Sequence, residues 1–282
     1  MLARFAPWLF VLLWSTGFIG ARLGLPHAEP LSFLSVRYAL VLSLLLPLAL
    51  AMRAPWPRDA RQWLHIGTAG LLLHGIYLGG VFVAIRHGLP AGITALVVGM
   101  QPLLTAFSAA LLLGEAVTRR QWLGLVLGLA GIALVVSGKV GGGSPLQALW
   151  PAVVALLGIT AGTLYQKRFC PRFDLRSGAV VQFLPTAVAT ALVASAVEDF
   201  HIEWTGEFVF ALAWLVLALS VGAIALLNFL IRAGSAVNVA SLFYLTPPTT
   251  ALLAWLIFGE TLTAPMVAGM ALAVGGVYLS RR

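Results

Sequence analysis

The stretch SLFYLTPPTTALLAWLIFGETLT, residues 241–263, is apolar enough to cross a bilayer, yet two prolines lie near its middle. Proline lacks the amide hydrogen and clashes with the preceding turn, so Pro247 and Pro248 are expected to interrupt a helix. A related stretch, VVGMQPLLTAFSAALLLGEAVT, lies 145 residues earlier and places Pro102 opposite Pro247. The chain therefore carries two interrupted apolar segments at equivalent positions.

The likeness between these stretches extends beyond the prolines. Residues 97–134 align without gaps with residues 242–279, and 12 of the 38 pairs are identical. The identities include Thr105 with Thr250 and a shared Gly-Glu-x-x-Thr sequence. In each copy of that sequence the threonine is suited to cap the next helix, and the glutamate is expected to pair with a basic or amide group. The pattern indicates an internal repeat.

Composition places the chain in a membrane. Hydrophobic residues make up 61% of it and charged residues 9%, with a mean hydropathy of +1.00. A single soluble core does not use residues in these proportions, and several runs reach the ~20 residues that span ~30 Å of hydrocarbon. We predict an all-α integral membrane protein with ten spans at residues 6–25, 31–52, 63–85, 91–113, 121–138, 150–167, 177–197, 208–231, 237–258 and 264–280.

The distribution of basic residues predicts the orientation. Ten spans put both termini on one side, which receives 13 of the basic residues, whereas the other side receives three, Arg22, Arg86 and Lys139. Because basic residues concentrate on the cytoplasmic side, we expect both termini there. The formal charge of +8 therefore reflects topology and does not indicate a nucleic-acid partner. The acidic loop 198–207, EDFHIEWTGE, is then external, and is interpreted as a solvated loop or, alternatively, as a cation-gathering vestibule.

The repeat constrains the architecture. Five spans per half is an odd number, so the second half must insert upside down relative to the first. We predict a first repeat at residues 1–138, an external linker at 139–149 and an inverted second repeat at 150–282. Inverted repeats recur in secondary transporters, where interrupted helices at equivalent places mark the binding site. The breaks are expected to face protein or a wet cavity, and a plain kink that aids packing is the alternative.

The sequence also resembles a known family. WSTGFIGARLG at residues 14–24, FLSVRYALVLSLLLPLAL at residues 33–50 and the paired proline and Gly-Glu-x-x-Thr motifs resemble EamA-type exporters of the drug/metabolite transporter superfamily, which include YddG-like amino acid exporters. The resemblance implies a basket of ten helices around a central cavity that opens by alternating access, with spans 5 and 10 peripheral. It also implies export of amino acids, related metabolites or drugs across the bacterial inner membrane.

Depth along each span predicts the substrate-binding residues. At about 1.5 Å per residue, a set of polar and aromatic side chains is expected near the midplane and is assigned to substrate binding: Trp14, His74, Tyr77, Gln101, Tyr165 and Thr246. Tyr244 lies closer to the inner end of its span and is added as a further stacking residue. Intramembrane ionisable groups are usually functional, so His74 could bind a carboxylate or carry a proton; the alternative is a neutral ring in a packed interface.

Further residues are assigned to gating and to charge. The helix breaks at Pro102, Pro247 and Pro248 are expected to form the moving region, and Asn228 is interpreted as an inner gate or a helix contact. Arg37 falls inside the second span, where it could attract a substrate carboxylate or extend outward and anchor a loop. The family resemblance implies an architectural role for it.

Glycine spacing predicts close helix packing. Three Gly-x-x-x-Gly pairs begin at Gly20, Gly124 and Gly158, and such pairs let backbones approach. We expect them to pack within one chain, which is expected to be a monomer; a dimer through the second pair is the alternative. The single cysteine, Cys170, excludes an intramolecular disulfide and is expected to be a free thiol without a role.

These observations favour a transporter of small metabolites, most of all neutral and aromatic amino acids. Drugs, nucleosides or lipid-like metabolites are the alternative substrates, and a membrane enzyme or a structural membrane protein would be a different class. No span carries a catalytic or metal-binding pattern, so neither enzymatic activity, a metal nor a cofactor is expected. The expected partners are a small-molecule substrate and the bilayer. No acid lies deep in a span, so coupling falls to a proton on His74, to exchange or to facilitated diffusion.

Overall fold

The computed structural model describes residues 2–113, 118–137, 145–170, 173–223, 226, 230 and 242–279. Within these residues nearly all regular structure is helical, and the one departure is an isolated antiparallel bridge between Ala28 and Ile202. The described residues do not include Asn228, the side chain of Tyr244, Gly114 and Glu115 of the first repeat motif, or residues 139–144 of the predicted linker.

Ten helical regions follow one another along the described residues, as the sequence predicts. They are α1 (Leu2–Gly24), α2 (Pro30–Ala51), α3 (Ala60–Gly70, Leu71–Ile76 and Tyr77–Arg86 in continuous succession), α4 (Ala91–Val98 and Gln101–Leu113), α5 (Arg119–Ser137), α6 (Pro145–Phe169), α7 (Leu175–Val197), α8 (Gly206–Ala213 continuing as Trp214–Ala223), α9 (Thr246–Phe258) and α10 (Ala264–Leu279). Six of these regions are long and apolar enough to cross a membrane, and the apolar helices in the other four regions are shorter.

Side chains at the helix starts satisfy the first free amides. The Asp59 carboxylate accepts from the Gln62 amide at the start of α3, and the Thr205 hydroxyl accepts from the Phe208 amide at the start of α8. Thr263 caps α10 through the Met266 amide, as the repeat motif predicts. Glu260 of the same motif forms an ion pair with Arg22. Residues of this kind stabilise helix ends because the first amides lack partners within the helix.

The fourth and ninth helices are interrupted next to the prolines. The two segments of α4 are separated at Gly99 and Met100, and Pro102 is the second residue of the segment that follows. A single 3-10 turn, Phe243–Leu245, precedes α9, whose first turn contains Pro247 and Pro248. A Cβ added to Gly99 would lie 3.0 Å from the Pro247 Cγ. The two interruptions therefore lie against each other.

The contact between α5 and α10 displays the inverted repeat directly. A Cβ added to Gly131 would lie 2.5 Å from the Gly269 carbonyl oxygen, and one added to Gly276 would lie 2.5 Å from the Gly124 carbonyl oxygen. These two contacts exchange under the 145-residue offset, because Gly131 corresponds to Gly276 and Gly124 to Gly269. The fold is therefore that of an all-α membrane protein with ten spans arranged as two inverted five-helix repeats.

All three predicted glycine pairs are used within the chain. Gly20 approaches Leu215 on α8, and Gly158 approaches Ile76 and the Tyr77 amide on α3. The pair at 124 and 128 contacts α10 and Met100 rather than standing free. The close backbone approach that glycine permits therefore serves helix packing inside one molecule.

The connections form two faces that differ in how tightly they are joined. We call closed face the side with the α1–α2 and α7–α8 connections, residues 25–29 and 198–205. There the Glu198 carboxylate accepts from the Leu31 and Ser32 amides and from the Ser32 hydroxyl, and His27 contacts Glu203 and Glu207. The acidic loop expected to be simply solvated is thus anchored to the start of α2.

We call open face the side with the α2–α3 connection, residues 52–59, and residues 173–174 before α7. Among the described residues, the hydrogen bond that crosses it runs from the Ser177 hydroxyl to the Pro55 carbonyl, and Ala54 and Trp56 pack against Val180. Ser32 and Ser177 are equivalent under the repeat offset, and each contacts the connection that faces it. In the described part of the chain, the closed face therefore has more polar contacts between its connections than the open face.

Candidate functional site

Two wide helical turns lie at equivalent depths in the two halves. Leu71–Ile76 of α3 and Trp214–Ala223 of α8 are π-helical, with hydrogen bonds to the fifth residue along the chain. Under the repeat offset, residue 71 corresponds to residue 216, so the two segments overlap. π turns are rare overall, and those that occur are frequently at functional sites. This pair therefore indicates a candidate functional site between α3 and α8.

Arg37 of α2 meets the π segment of α8. Its guanidinium Nη2 donates to the Ser220 hydroxyl at 3.4 Å, and that hydroxyl donates to the Leu215 carbonyl at 3.1 Å. Only 7% of Arg37 is exposed, and its Nε has no hydrogen-bond partner among the described residues. Arg37 therefore points into the protein and does not extend outward to anchor a loop.

His74 lies in the π segment of α3 and meets α7. Its ring stacks on Phe183 with 4.2 Å between ring centroids. Gln182, which precedes Phe183 in α7, donates from its side-chain amide to the Gln166 side-chain carbonyl oxygen of α6 at 2.8 Å. The Tyr38 hydroxyl donates to the His74 backbone carbonyl at 2.6 Å. We call this set of contacts, which joins α2, α3, α7 and α6, the His74 chain.

The two π-segment contacts are equivalent in the two repeats. Under the 145-residue offset Arg37 corresponds to Gln182, and Tyr38 corresponds to Phe183. The rings of Tyr38 and Phe183 also touch each other, with centroids 5.6 Å apart. The approximate two-fold axis therefore passes between these two rings. The site is symmetric in shape, but a cation occupies one side where a neutral amide occupies the other.

The helix breaks carry a second pair of equivalent contacts. Gln101, next to the α4 break, donates to the Thr163 hydroxyl of α6 at 3.1 Å. The Ser15 hydroxyl of α1 donates to the Thr246 carbonyl at the start of α9 at 3.4 Å. Each break is thus held by the first helix of the opposite repeat.

Several hydroxyls beside the breaks have no partner. The Oγ1 atoms of Thr105, Thr246 and Thr250 are buried and make no hydrogen bond among the described residues. Thr105 and Thr250 are equivalent under the offset, so the feature is present in both halves. Buried hydroxyls without a partner in the protein are costly, so these positions are candidates for a hydrogen bond to water or to a bound polar group.

A cavity of about 1030 Å³ connects the interior to the open face. Its inner lining includes Leu73, next to His74, and Thr163, which is bound to Gln101; Gln166, bound to Gln182, also lines it. Toward the open face the lining continues with Pro55, Lys167, Cys170, Phe173, Asp174 and Leu175. The cavity therefore touches both the His74 chain and the α4 break.

The outer part of this cavity is lined by an ionised carboxylate that is paired with Arg176. Hydrogen bonding to the Arg176 side chain lowers the pKa of Asp174 to about 2, so this carboxyl is ionised at any physiological pH. Cys170, beside it, is a free and largely buried thiol whose pKa is raised by burial. In the ranges that the structure describes, no three His, Cys, Asp or Glu residues are grouped so that they could hold a metal ion.

The structure brings together only part of the predicted set. Arg37 has Tyr77 and Tyr38 as electrostatic neighbours and lies near His74, and Gln101 lies near the break that contains Thr246. Trp14 packs against Phe10 of its own helix and against Phe243 in the turn before α9, at centroid distances of 5.4 and 5.1 Å.

Tyr165 is not near the central group. It lies four residues before the end of α6, where its hydroxyl is 2.8 Å from the His65 Nδ1. Counting residues along a span places it too deep, because α6 runs to Phe169 and the tyrosine belongs to its last turn and a half. The backbone of Tyr244 lies in the turn before α9, and Asn228 is outside the described residues.

Sequence inspection missed several residues that the structure places at the centre. They are Tyr38, Thr163, Gln166, Gln182, Phe183, Ser220 and Thr250. The repeat offset contains a signal for three of them, because it pairs Gln182 with Arg37, Phe183 with Tyr38 and Thr250 with Thr105. The others lie on helix faces that periodicity alone does not identify.

Ten helices in two inverted halves, paired helix breaks and an access cavity define a multi-pass membrane transporter. The comparison with known families agrees: the chain belongs to the EamA-like transporter family, which matches it twice, over residues 5–137 and residues 142–282. The two matches correspond to the two halves that the contacts relate.

Similar proteins carry transporter names. The uncharacterized inner membrane transporter YedA of Escherichia coli (strain K12) is 31% identical over 256 residues, covering 89% of this chain and 81% of that protein. A probable amino-acid metabolite efflux pump of Salmonella typhimurium is 24% identical over 286 residues, covering 98% and 93% of the two chains. A solved structure superimposes with a TM-score of 0.66 at 21% identity, covering 98% and 95%, which supports the fold.

Proposed function

We propose that this transporter exports small metabolites, above all neutral and aromatic amino acids, across a bacterial inner membrane by alternating access. The observation that carries the proposal is the meeting of the two helix breaks, with Gly99 against Pro247, beside buried hydroxyls that lack partners. Half-helix ends and unpaired polar groups at a repeat interface are the means by which many secondary transporters hold a substrate. The Salmonella efflux pump named above supports amino acids as the substrate class.

The chemistry of the centre suits an amphipathic substrate. The Tyr38 ring packs against Phe183 at a tilted angle, and the His74 ring stacks on Phe183. Arg37, Gln101 and the threonine hydroxyls supply hydrogen-bonding groups. Aromatic faces bind flat apolar groups, and polar groups fix orientation and specificity. A small amino acid with an apolar side chain presents both requirements at once.

The direction of access follows from charge and from the cavity. The excess of basic residues assigns the open face to the cytoplasm, so the cavity would receive substrate from inside the cell. The closed face, with Glu198 and His27 in contact across the connections, would be the exit that opens later in the cycle. Both termini are then cytoplasmic.

The test is transport in proteoliposomes loaded with the twenty amino acids, with efflux read by mass spectrometry with and without a pH gradient. Selective loss of a few amino acids is expected. Thr105→Val and Thr250→Val, matched changes at equivalent positions, should each slow that loss, whereas Ser43→Ala on the exposed side of α2 should not. Retention of every amino acid would reject the substrate class and favour drugs, nucleosides or lipid-like metabolites.

The same experiment separates the modes of coupling. A proton carried by His74 requires that His74→Gln abolish any pH-gradient drive while preserving binding. We expect either no pH-gradient drive or a drive that His74→Gln leaves unchanged, because no carboxylate lies deep in a described span and the His74 ring stacks on Phe183. Loss of a pH-driven component in His74→Gln would instead assign the proton to this residue.

A further inference from the structure

We propose that Arg37 is the residue that binds the carboxylate of the substrate, and that this makes the transporter an exchanger. The inference rests on the proposed function for the identity of the substrate, but not for the existence of the anion site. Arg37 is 7% exposed, makes one hydrogen bond of 3.4 Å to Ser220, and keeps its Nε without a partner among the described residues. A guanidinium has five N–H donors, so most of its binding capacity is unused.

No acid within the described residues neutralises Arg37. It belongs to none of the ion pairs found there, and its electrostatic neighbours are the tyrosines Tyr38 and Tyr77. The eight described acids all lie at helix ends or in connections: Glu29, Asp59, Asp174, Glu198, Asp199, Glu203, Glu207 and Glu260. A buried cation without a counter-ion is strongly unfavourable, so the position calls for an anion from outside the chain.

The fold itself does not need a charge at this position. The equivalent residue in the second repeat is Gln182, a neutral amide that donates a hydrogen bond to the Gln166 side chain within the protein. Two equivalent helix positions thus differ in that one is satisfied and the other is not. The unsatisfied one carries the planar fork that matches a carboxylate with two parallel hydrogen bonds.

The groups around Arg37 define the rest of the ligand. Ser220 offers a hydroxyl, and the Tyr38 ring, next to Arg37 in the sequence, packs at a tilt against Phe183, on which the His74 ring stacks. The occupant is therefore a carboxylate joined to a flat apolar group. Arginine at one end and rings at the other would orient such a molecule across the two-fold axis.

The unpaired charge also determines the mode of transport. In alternating access the site passes through a state sealed from both sides, where water cannot solvate the guanidinium. A bound carboxylate neutralises Arg37 in that state, whereas an empty site leaves the charge desolvated and alone. The loaded protein therefore reorients faster than the empty one, and exchange of carboxylates across the membrane outpaces net efflux.

The binding test uses the purified full-length protein and three probes of similar shape: 3-phenylpropionate, its uncharged amide 3-phenylpropanamide, and phenethylamine. We expect 3-phenylpropionate to bind at least about tenfold more tightly than the amide, because losing one partner of a buried charge pair weakens binding by this much or more. Arg37→Gln, which copies the residue of the second repeat, should remove the preference. Arg86→Gln, whose side chain contacts the Leu25 carbonyl near a helix end, should retain it.

The wild-type comparison decides the question even where the Arg37→Gln chain does not fold. Equal affinity for the acid and the amide would overturn the proposal, as would a preference that survives in folded Arg37→Gln. Arg37-dependent binding of 3-phenylpropionate without transport of any amino acid would reject the proposed substrate class and keep the anion site. Amino acid transport that does not depend on Arg37 would reject the anion site and keep the proposed substrate class.

The transport test compares counterflow with net efflux of the same carboxylate from proteoliposomes. Counterflow roughly tenfold faster than net efflux is expected for the wild-type protein and for Arg86→Gln, by the same charge argument. Folded Arg37→Gln should bring the two rates close together. Equal rates in the wild-type protein would overturn the exchange mode.

Discussion

The closed and open faces are built from equivalent connections yet are held together to different extents. On the closed face, Glu198 holds two amides and a hydroxyl at the start of α2, and His27 contacts two carboxylates. On the open face, the equivalent serine, Ser177, makes a single hydrogen bond to Pro55 beside a large cavity. The inverted repeat thus gives both faces the same backbone arrangement, and differences between their side chains determine which face is closed.

The largest expected effect concerns a contact that the two halves share equally. Gly131→Val and Gly276→Val each drive a side chain into a backbone carbonyl across the α5–α10 contact, at a cost of about 3 kcal/mol. Thermal unfolding of the purified proteins should show that the melting temperatures of both variants are lowered by similar amounts. Gly275→Val is the matched control, because nothing lies within 4 Å of the added Cβ. Unequal shifts for Gly131 and Gly276 would contradict the symmetry of this contact.

Glu198→Ala should weaken the closed face. It removes three hydrogen bonds to a charged acceptor, worth about 2 kcal/mol together, and so moves the population toward opening on that face. Cys170 lines the opposite cavity, so its reaction with a thiol reagent should slow as that cavity closes. Asp199→Ala, a neighbouring acid whose side chain makes no hydrogen bond among those described, is the control. Unchanged Cys170 reactivity in Glu198→Ala would show that the faces are not coupled.

His27→Gln should shift the same balance by about 1 kcal/mol or less. The partners Glu203 and Glu207 expose 56% and 53% of their side chains, so solvent screens much of the attraction to His27. Cys170 labelling is again the measurement, and His201→Gln in the same connection is the control. An effect larger than that of Glu198→Ala would reverse the assignment of the main closure.

Ser177→Ala should act in the opposite direction and weakly. Loss of its hydrogen bond to the Pro55 carbonyl removes about 1 kcal/mol from the open face, so Cys170 should react a few times faster. Ser195→Ala, an exposed serine on the same helix, should leave the rate unchanged. Slower labelling in Ser177→Ala would mean that this bond keeps the cavity open.

The fold could be predicted from the sequence because the patterns that determine it, apolar runs and an internal repeat, are visible in the sequence. Apolar runs predicted ten spans, and the proline repeat predicted the breaks in α4 and α9. The π segments of α3 and α8 were not predictable, because a π turn adds one residue without changing hydrophobic composition. That extra residue also shifts which side chains face the centre.

The candidate site was only partly predictable for the same reason. Depth along a span selected His74, Tyr77 and Gln101, but depth does not specify which neighbour a side chain meets. Tyr165 shows the error, since it pairs with His65 near a helix end. Gln182 shows what was recoverable, because comparison with Arg37 through the repeat would have identified it.

The close backbone contact between α5 and α10 has a consequence for the surrounding lipid. Where glycines bring the two backbones together, few flexible side chains lie between the helices, so the helices are expected to move as one rigid unit. Their outer surface displays apolar side chains such as Leu123, Val126 and Leu129. Acyl chains along this edge therefore meet the same boundary throughout the cycle, and changes in the bilayer's thickness or fluidity act on the protein mainly through its other helices.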